Sequence, residues 1–308
     1  MSEDKIALLR KRETLEQMLG EMVFGAVEIR EDGKNKNIYL HTRVAGKQVT
    51  KFVGQYSDEL LELITSNNEK ARELKKSLRE VKHHLNKLGY TESELQEKVK
   101  RNIDFAKRNL ALTIHSQAIL EGVATTFAST EDVIEGARVS GMSATDVQKI
   151  LNMKHAWEFI LDEDVIQSPQ NLGLMQQINK LVEEGFYYNA GGIRDVPVVI
   201  GGTSWKPELP LSSTIQENLE RIFASSRSKV DKAIDVMLFI QRAQIFLDGN
   251  KRTAVIFANH YLIANGLGLI FVPENKTEEY KKLLVEFYET GERKTIADFI
   301  KENCVISI

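Results

Sequence analysis

The sequence predicts a mainly α protein: a helical bundle preceded by a small α+β module. Three observations carry this reading. From about residue 91 onward, apolar residues recur at helical spacing through most of the chain. Between residues 22 and 54, short β-branched runs are separated by two turn signals, the pattern of a three-stranded meander. The 308-residue chain is 42% hydrophobic and 28% charged, a balance that suits a globular protein with a core of its own. The division expected is an α+β module over 1–90, a helical linker over 91–160 and a helical core domain over 161–308.

The elements follow in order. Lys5 to Leu19 has helical spacing and stops at Gly20. Val23, Val27 and Ile29 alternate on one face before a turn at Asp32-Gly33; "NIYLHTRV" follows, then an Ala45-Gly46 turn and "KQVTKFVG". A long charged helix from Ser57 to Leu88 carries the stripe Leu60, Leu61, Ile64, Ala71, Leu74, Leu78, Val81 and Leu85. His83 and His84 fall on its polar face and read as solvated residues rather than metal ligands, since no cysteine accompanies them. Thr91 with Glu94 has the spacing of a capping box. Helical stretches then run through "NIDFAKRNLALTIHSQAILEG", "ATDVQKILNMKHAWEFIL" and "LGLMQQINKLVEEG". The intervening "ASTEDVIEGARVSGMS" is polar and broken by Gly136 and Gly141, and "IRDVPVVIGGTSWKPELP" is β-like.

Charge is mildly asymmetric. Residues 1–110 hold 22 Lys+Arg and 18 Asp+Glu, a balance of +4 within a chain of net charge −3. A solvated basic surface accounts for this, and nucleic acid is not an expected partner. No apolar run is long enough to span a bilayer, the N-terminus is charged rather than apolar, and Cys304 is the single cysteine. The expectation is a cytoplasmic protein with no membrane partner. Oligomeric state is left open, a homodimer included.

The most informative stretch is "QRAQIFLDGNKRTAVIF", Gln241 to Phe257. Asp-Gly commonly marks a hairpin, but here both flanks are apolar on nearly every face at helical spacing, so the polar knot joins two core helices. The second helix begins near Asn250, and its first N–H groups lack internal partners and carry the positive end of the helix dipole. Gly249 lets backbone approach a ligand, and Lys251 and Arg252 add full charge. The combination makes a site for phosphate or diphosphate, with Asp248 placed for Mg²⁺. A capped turn with solvated cations is the competing reading of the spacing alone.

"QIFLDGNKRTA" resembles the motif of the Fic/Doc family, H-x-F-x-[D/E/N]-G-N-[G/K]-R. Weaker similarities, from about Asn109 to Asn303, fall in the family's order, among them "YYNAGGIRDVPVVIGGTSWKPELP" for its flap. The resemblance implies a Fic-type bundle with a β-hairpin flap, binding ATP and Mg²⁺. Fic members transfer AMP to a hydroxyl of a target protein, and Doc members transfer phosphate. Carried over by position, Phe246 packs the loop, Asp248 holds Mg²⁺, and Gly249, Asn250, Lys251 and Arg252 bind phosphates, Asn250 with its side chain as well. The flap, Gly192 to Gly202 with Arg194, Val198 and Ile200, would align an extended segment of an unidentified target.

Two positions depart from the family. Its histidine general base is Gln244 here, and an amide does not carry a proton at neutral pH. Chemistry is therefore expected to be slow or lost, which leaves open whether the chain is an enzyme, a nucleotide-sensing pseudoenzyme, or a Doc-like phosphotransferase. Its second arginine is Val255 here, which weakens the hold on distant phosphates. Many Fic proteins also carry an inhibitory helix reading [S/T]-x-x-x-E-[G/N]. "SQAILEG" offers Glu121-Gly122, with Gln117 where Ser or Thr is usual. His260 reads as a buried structural histidine rather than a replacement base.

Overall fold

The computed structural model describes residues 3–32, 35–44, 47–90 and 95–308. Gly33, the Ala45-Gly46 turn and the Thr91/Glu94 capping pair lie outside the described residues. The chain divides into two compact units, Ala7–Thr91 and the remainder, Met1–Ile6 with Glu92–Ile308.

In the smaller unit, α1 (Glu3–Glu21), which enters it from residue 7 on, precedes an antiparallel sheet of β1 (Ala26–Asp32), β2 (Asn35–Val44) and β3 (Lys47–Gln55), in the order β1-β2-β3. One sheet face is apolar: Ile38 and Leu40 are buried with Ile64 of α2 (Asp58–Lys87), and Val27, Val53, Leu60 and Leu61 close around them. On the other face Tyr39 and Phe52 meet at 5.4 Å and the Arg30 guanidinium lies over Tyr39. Ser57 caps α2 by accepting from Leu60 N at 3.1 Å, and the expected stripe buries Ile64, Ala71, Val81 and Leu85. His83 and His84 are exposed.

The larger unit is helical: α3 (Glu97–Arg108), α4 (Leu110–Leu120), α5 (Phe127–Glu135), α6 (Ala144–Ile160), α7 (Leu172–Val182), α8 (Ser212–Ala224), α9 (Lys229–Ala243), α10 (Asn250–Ala264), α11 (Thr277–Thr290) and α12 (Lys294–Asn303). Two short strands, β4 (Leu269–Ile270) and β5 (Val305–Ile306), pair antiparallel. Helix α10 sits at the centre, packed by α9, α7, α3 and α6, because its sequence is apolar on nearly every face and buries all but a few side chains. The helices over 97–160 belong to this same unit. Asn265 and Gly266 (φ +68°) end α10 as its sequence indicates.

Three elements differ from expectation. The single helix expected through "NIDFAKRNLALTIHSQAIL" breaks at Asn109, whose Nδ2 donates to its own Phe105 carbonyl at 2.8 Å. The polar stretch before Gly136 holds α5, capped by Thr126 and ended by Gly136 at φ +80°; only Thr130 and Val133 are buried, so its apolar signal is faint. The expected flap hairpin contains no strand: residues 192–211 are irregular throughout. Pro197, Pro207 and Pro210 remove ladder donors, and the Arg194 side chain occupies the carbonyls of Val196 and Glu208. Among the described residues, no helix is long and apolar enough to cross a membrane.

Candidate functional site

The site grows from the way α9 ends. Its last turn buries Ile240 and Gln241, and Gln241 Oε1 accepts from the Tyr280 hydroxyl at 2.8 Å. Gln244 follows in the left-handed region (φ 47°, ψ 62°), the one non-glycine residue with positive φ among the described residues. That conformation costs about 1–2 kcal/mol, so the surroundings have to hold it. They do. Gln244 Nε2 donates to Gln241 O at 2.6 Å, Gln244 Oε1 accepts from Asn250 Nδ2 at 3.2 Å, and the Gln244 carbonyl accepts from Arg194 Nε.

Arg194 is 2% exposed, and its guanidinium also reaches the carbonyls of Ala243, Val196, Pro207 and Glu208. Its N–H donates to Ile245 O at 3.0 Å. The predicted flap arginine is thus a tether: it satisfies carbonyls at the negative end of α9 and fixes the flap root to the loop. Burial pushes its pKa down from the usual guanidinium value.

The loop closes on itself through Asn250. Asn250 Oδ1 accepts from Phe246 N at 2.9 Å and its Nδ2 donates to Phe246 O at 2.8 Å, while the Phe246 ring is buried. The Asn250 side chain is therefore used within the loop rather than directed outward. Gly249 has φ +72°, and a Cβ there would collide with Glu183 Oε1 and crowd Val182 Cγ1 and Asn179 Nδ2 at 3.0 and 3.1 Å. Both conformation and space require glycine. Asn179 of α7 joins the parts: its Nδ2 donates to Asp248 O (3.0 Å) and Thr253 Oγ1 (3.1 Å), and its Oδ1 accepts from Gly191 N (3.0 Å). The first ladder bond of α10 runs from Thr253 N to Gly249 O, so the N–H groups of Asn250, Lys251 and Arg252 precede the ladder.

Charge around this helix start is crowded. Arg252 and Glu183 are 3% and 2% exposed, with Nη2 and Oε1 2.8 Å apart. Arg252 Nε lies 3.7 Å from Glu121 Oε2, and Lys251 Nζ 3.4 Å from Glu121 Oε1. Asp248, half exposed, places Oδ1 3.6 Å from Arg252 Nη2. Burial pushes the Glu183 carboxyl up to about 7; Arg252 opposes this, and Asp248 and Glu121 reinforce it. Arg252 Nη1 is buried with no hydrogen-bond partner. The Tyr187 hydroxyl bonds to Asp248, whose charge raises its pKa.

The predicted residues Gln244, Asp248, Gly249, Asn250, Lys251 and Arg252 therefore lie together, and Glu121 joins them from the end of α4, where Gly122 (φ +75°) stops the helix. Val255 is buried in α10. In the flap, Gly192 packs on the Asn189 side chain, while Val198 and Ile200 are half-buried around an 89% exposed Val199. His260 lies apart, fully buried, with Nε2 on Val165 O at 2.9 Å and Nδ1 on Gln170. Sequence reasoning passed over Asn179, Glu183 and Tyr187. The one local signal was an acid at the end of the otherwise apolar run "LVEEG".

Residues 169–262 match the model of the Fic/DOC family. The family likeness is carried by this segment, which contains the α9–α10 joint. Solved structures agree on the fold. A Fic family protein from Desulfovibrio desulfuricans superposes at TM-score 0.53 with 16% identity, over 68% of this chain and 73% of that one. Fic-1 from C. elegans gives 0.52 and 17%, over 80% and 73%. A Fic domain containing signaling protein from Bacteroides thetaiotaomicron gives 0.53 and 16%, over 68% and 87%. No curated protein matches the chain in sequence.

Proposed function

We propose that this Fic-type protein binds the phosphates of ATP at the start of α10 and is related to protein adenylyltransferases, with transfer slowed because Gln244 stands where a base is needed. The observation that carries the reading is the buried Arg252, with Nη1 lacking a partner, beside a helix N-terminus and a glycine turn that admits no Cβ. Lys251 and Arg252 would meet phosphate oxygens, and the amides of Asn250 and Lys251 would donate to them. Asp248, with a half-exposed carboxylate, fits a hard cation. Mg²⁺, when bound, would supply charge to offset the phosphates.

The weak step is proton removal from the target hydroxyl. Both ends of the Gln244 amide are engaged, by Gln241 O and Asn250 Nδ2, so Gln244 braces the loop. A lost general base lowers rate by roughly 10²–10⁴-fold. In this reading an extended target segment lies along the flap, whose exposed Val199 backbone has no strand partner of its own. The compartment consistent with it is the cytoplasm, which supplies ATP, and the buried Cys304 needs no disulfide there.

A second reading, a nucleotide-sensing protein without transfer, is favoured by the same braced Gln244. A Doc-like phosphotransferase draws support from Lys251 alone. Incubation with Mg²⁺ and ATP labelled at the α or the γ phosphate, plus cell extract, separates them. Label from the α position on protein supports AMP transfer, label from γ supports phosphotransfer, and neither with measurable ATP binding supports the sensor.

A further inference from the structure

The phosphate site proposed above already holds carboxylates of its own. Lys251 and Arg252 face Glu121, Glu183 and Asp248: two cations against three acids within 4 Å. Of the three, Glu183 is the deepest. It follows the last turn of α7, beside the apolar Leu181 and Val182, where an aliphatic side chain would be the ordinary occupant. Its Oε1 fills the space that a Cβ on Gly249 would need, directly against the turn that opens α10.

The contact with Arg252 is close yet poorly aligned. At 2.8 Å the two groups are within hydrogen-bond reach, but Glu183 Oε1 has no aligned donor, and Arg252 Nε and Nη1 have no aligned acceptor. Buried structural ion pairs hold when every polar atom is satisfied. Other buried side chains of this unit do reach that standard: Asn102 both donates to and accepts from Gly268, and Asn259 donates to and accepts from Ile270. The arginine is therefore held by an anion that leaves part of its binding capacity unused.

We infer that Glu183 is a resident anion of the phosphate loop and a determinant of which nucleotide the site accepts: a ligand phosphate at Arg252 must compete with its carboxylate. The inference rests on the phosphate-binding reading of the loop. Burial pushes the Glu183 carboxyl up to about 7, so it carries most of its charge only above that pH, where its repulsion grows with the charge of the ligand. Glu183 accordingly discriminates most strongly against a nucleoside triphosphate, less against a diphosphate and least against a monophosphate. With Val255 in the neighbouring turn, α10 offers no further cation there to offset it.

The test is calorimetric titration of the full chain with ATP, ADP and AMP in the presence of Mg²⁺ at pH 8, where the Glu183 carboxyl is mainly ionised, for the native protein and for Glu183→Gln. Glutamine keeps the shape and an acceptor for Arg252 while removing the charge. Affinity for ATP should rise roughly tenfold or more, with smaller gains for ADP and AMP in that order. Glu121→Gln should give a smaller gain for ATP, because its contacts are longer. Should Glu183→Gln fold poorly by circular dichroism, Glu183→Asn removes the same charge and should show the same graded gain. Binding by the native protein that is unchanged or weakened in the folded variant, or a gain equal for all three nucleotides, overturns the role of Glu183 alone. Absence of binding by the native protein and every variant overturns the phosphate-binding reading with it.

Discussion

The Ala7–Thr91 unit and the α9–α10 joint treat polar groups in opposite ways. The first builds its core from Ile38, Leu40 and Ile64 and keeps nearly all charge on the surface; Arg12 is its one buried charged residue among those described. The joint buries Asn179, Glu183, Arg194, Gln241, Asn250 and Arg252, each no more than 4% exposed. Burying such groups is costly unless they are bonded. Three of the six are: Asn179 and Asn250 satisfy loop backbone and Arg194 satisfies helix-end carbonyls, so these are the frame, while Gln241 accepts from Tyr280 and leaves its Nε2 unpaired. Arg252, Glu183 and Glu121 retain unaligned atoms, which makes them the working part. The difference teaches that burial of a polar group does not mark a site; opposed charges with unaligned atoms, gathered at a helix start, do.

Substitutions can break or sharpen this contrast. The largest effect is expected at Asn179. Its replacement by Ala removes three bonds and leaves buried partners unpaired, a loss of about 4 kcal/mol in chemical unfolding, whereas Phe52→Ser on the exposed sheet face should change stability by less than about 1 kcal/mol. Similar values for the two would dissolve the contrast.

His260 gives the next effect, read through pH. Burial holds its pKa down to about 4, below the ordinary value of 6.5. The unfolded chain takes up the proton first as pH falls, so stability present above pH 6.5 is lost between there and about 4, and levels off below. The loss should approach roughly 3 kcal/mol. His260→Gln should flatten that limb of the stability–pH curve; an unchanged slope would place the titrating group elsewhere.

A smaller effect is expected at Gln244. If proton removal limits transfer, Gln244→His should raise self-labelling from ATP by at least about tenfold, a figure set below the usual effect of general-base catalysis. A variant as silent as the parent would show that the base is not limiting and would favour the sensor reading.

Legibility in the sequence followed sequence distance. The joint was readable because Asp248-Gly249-Asn250 interrupts two continuous apolar helices, a contrast contained within seventeen residues. The three strands and α2 were readable for the same local reason. Asn179 and Glu183 were not: their partners at the start of α10 lie about seventy residues away, and nothing local distinguishes Asn179 from any helix-surface asparagine. Helix α5 was hidden because it buries only two side chains, and the flap misled because Val198, Val199 and Ile200 carry a strand signal while their surroundings supply no ladder.

The central claim is that the start of α10 grips phosphate. Calorimetric titration with MgATP, comparing the native chain with Lys251→Gln, tests it most directly. Lys251 is partly exposed, so the variant should fold normally. The account predicts saturable binding in the native chain and at least about threefold weaker binding in the variant. Equal affinity in the two, or no saturable heat in either, would contradict it.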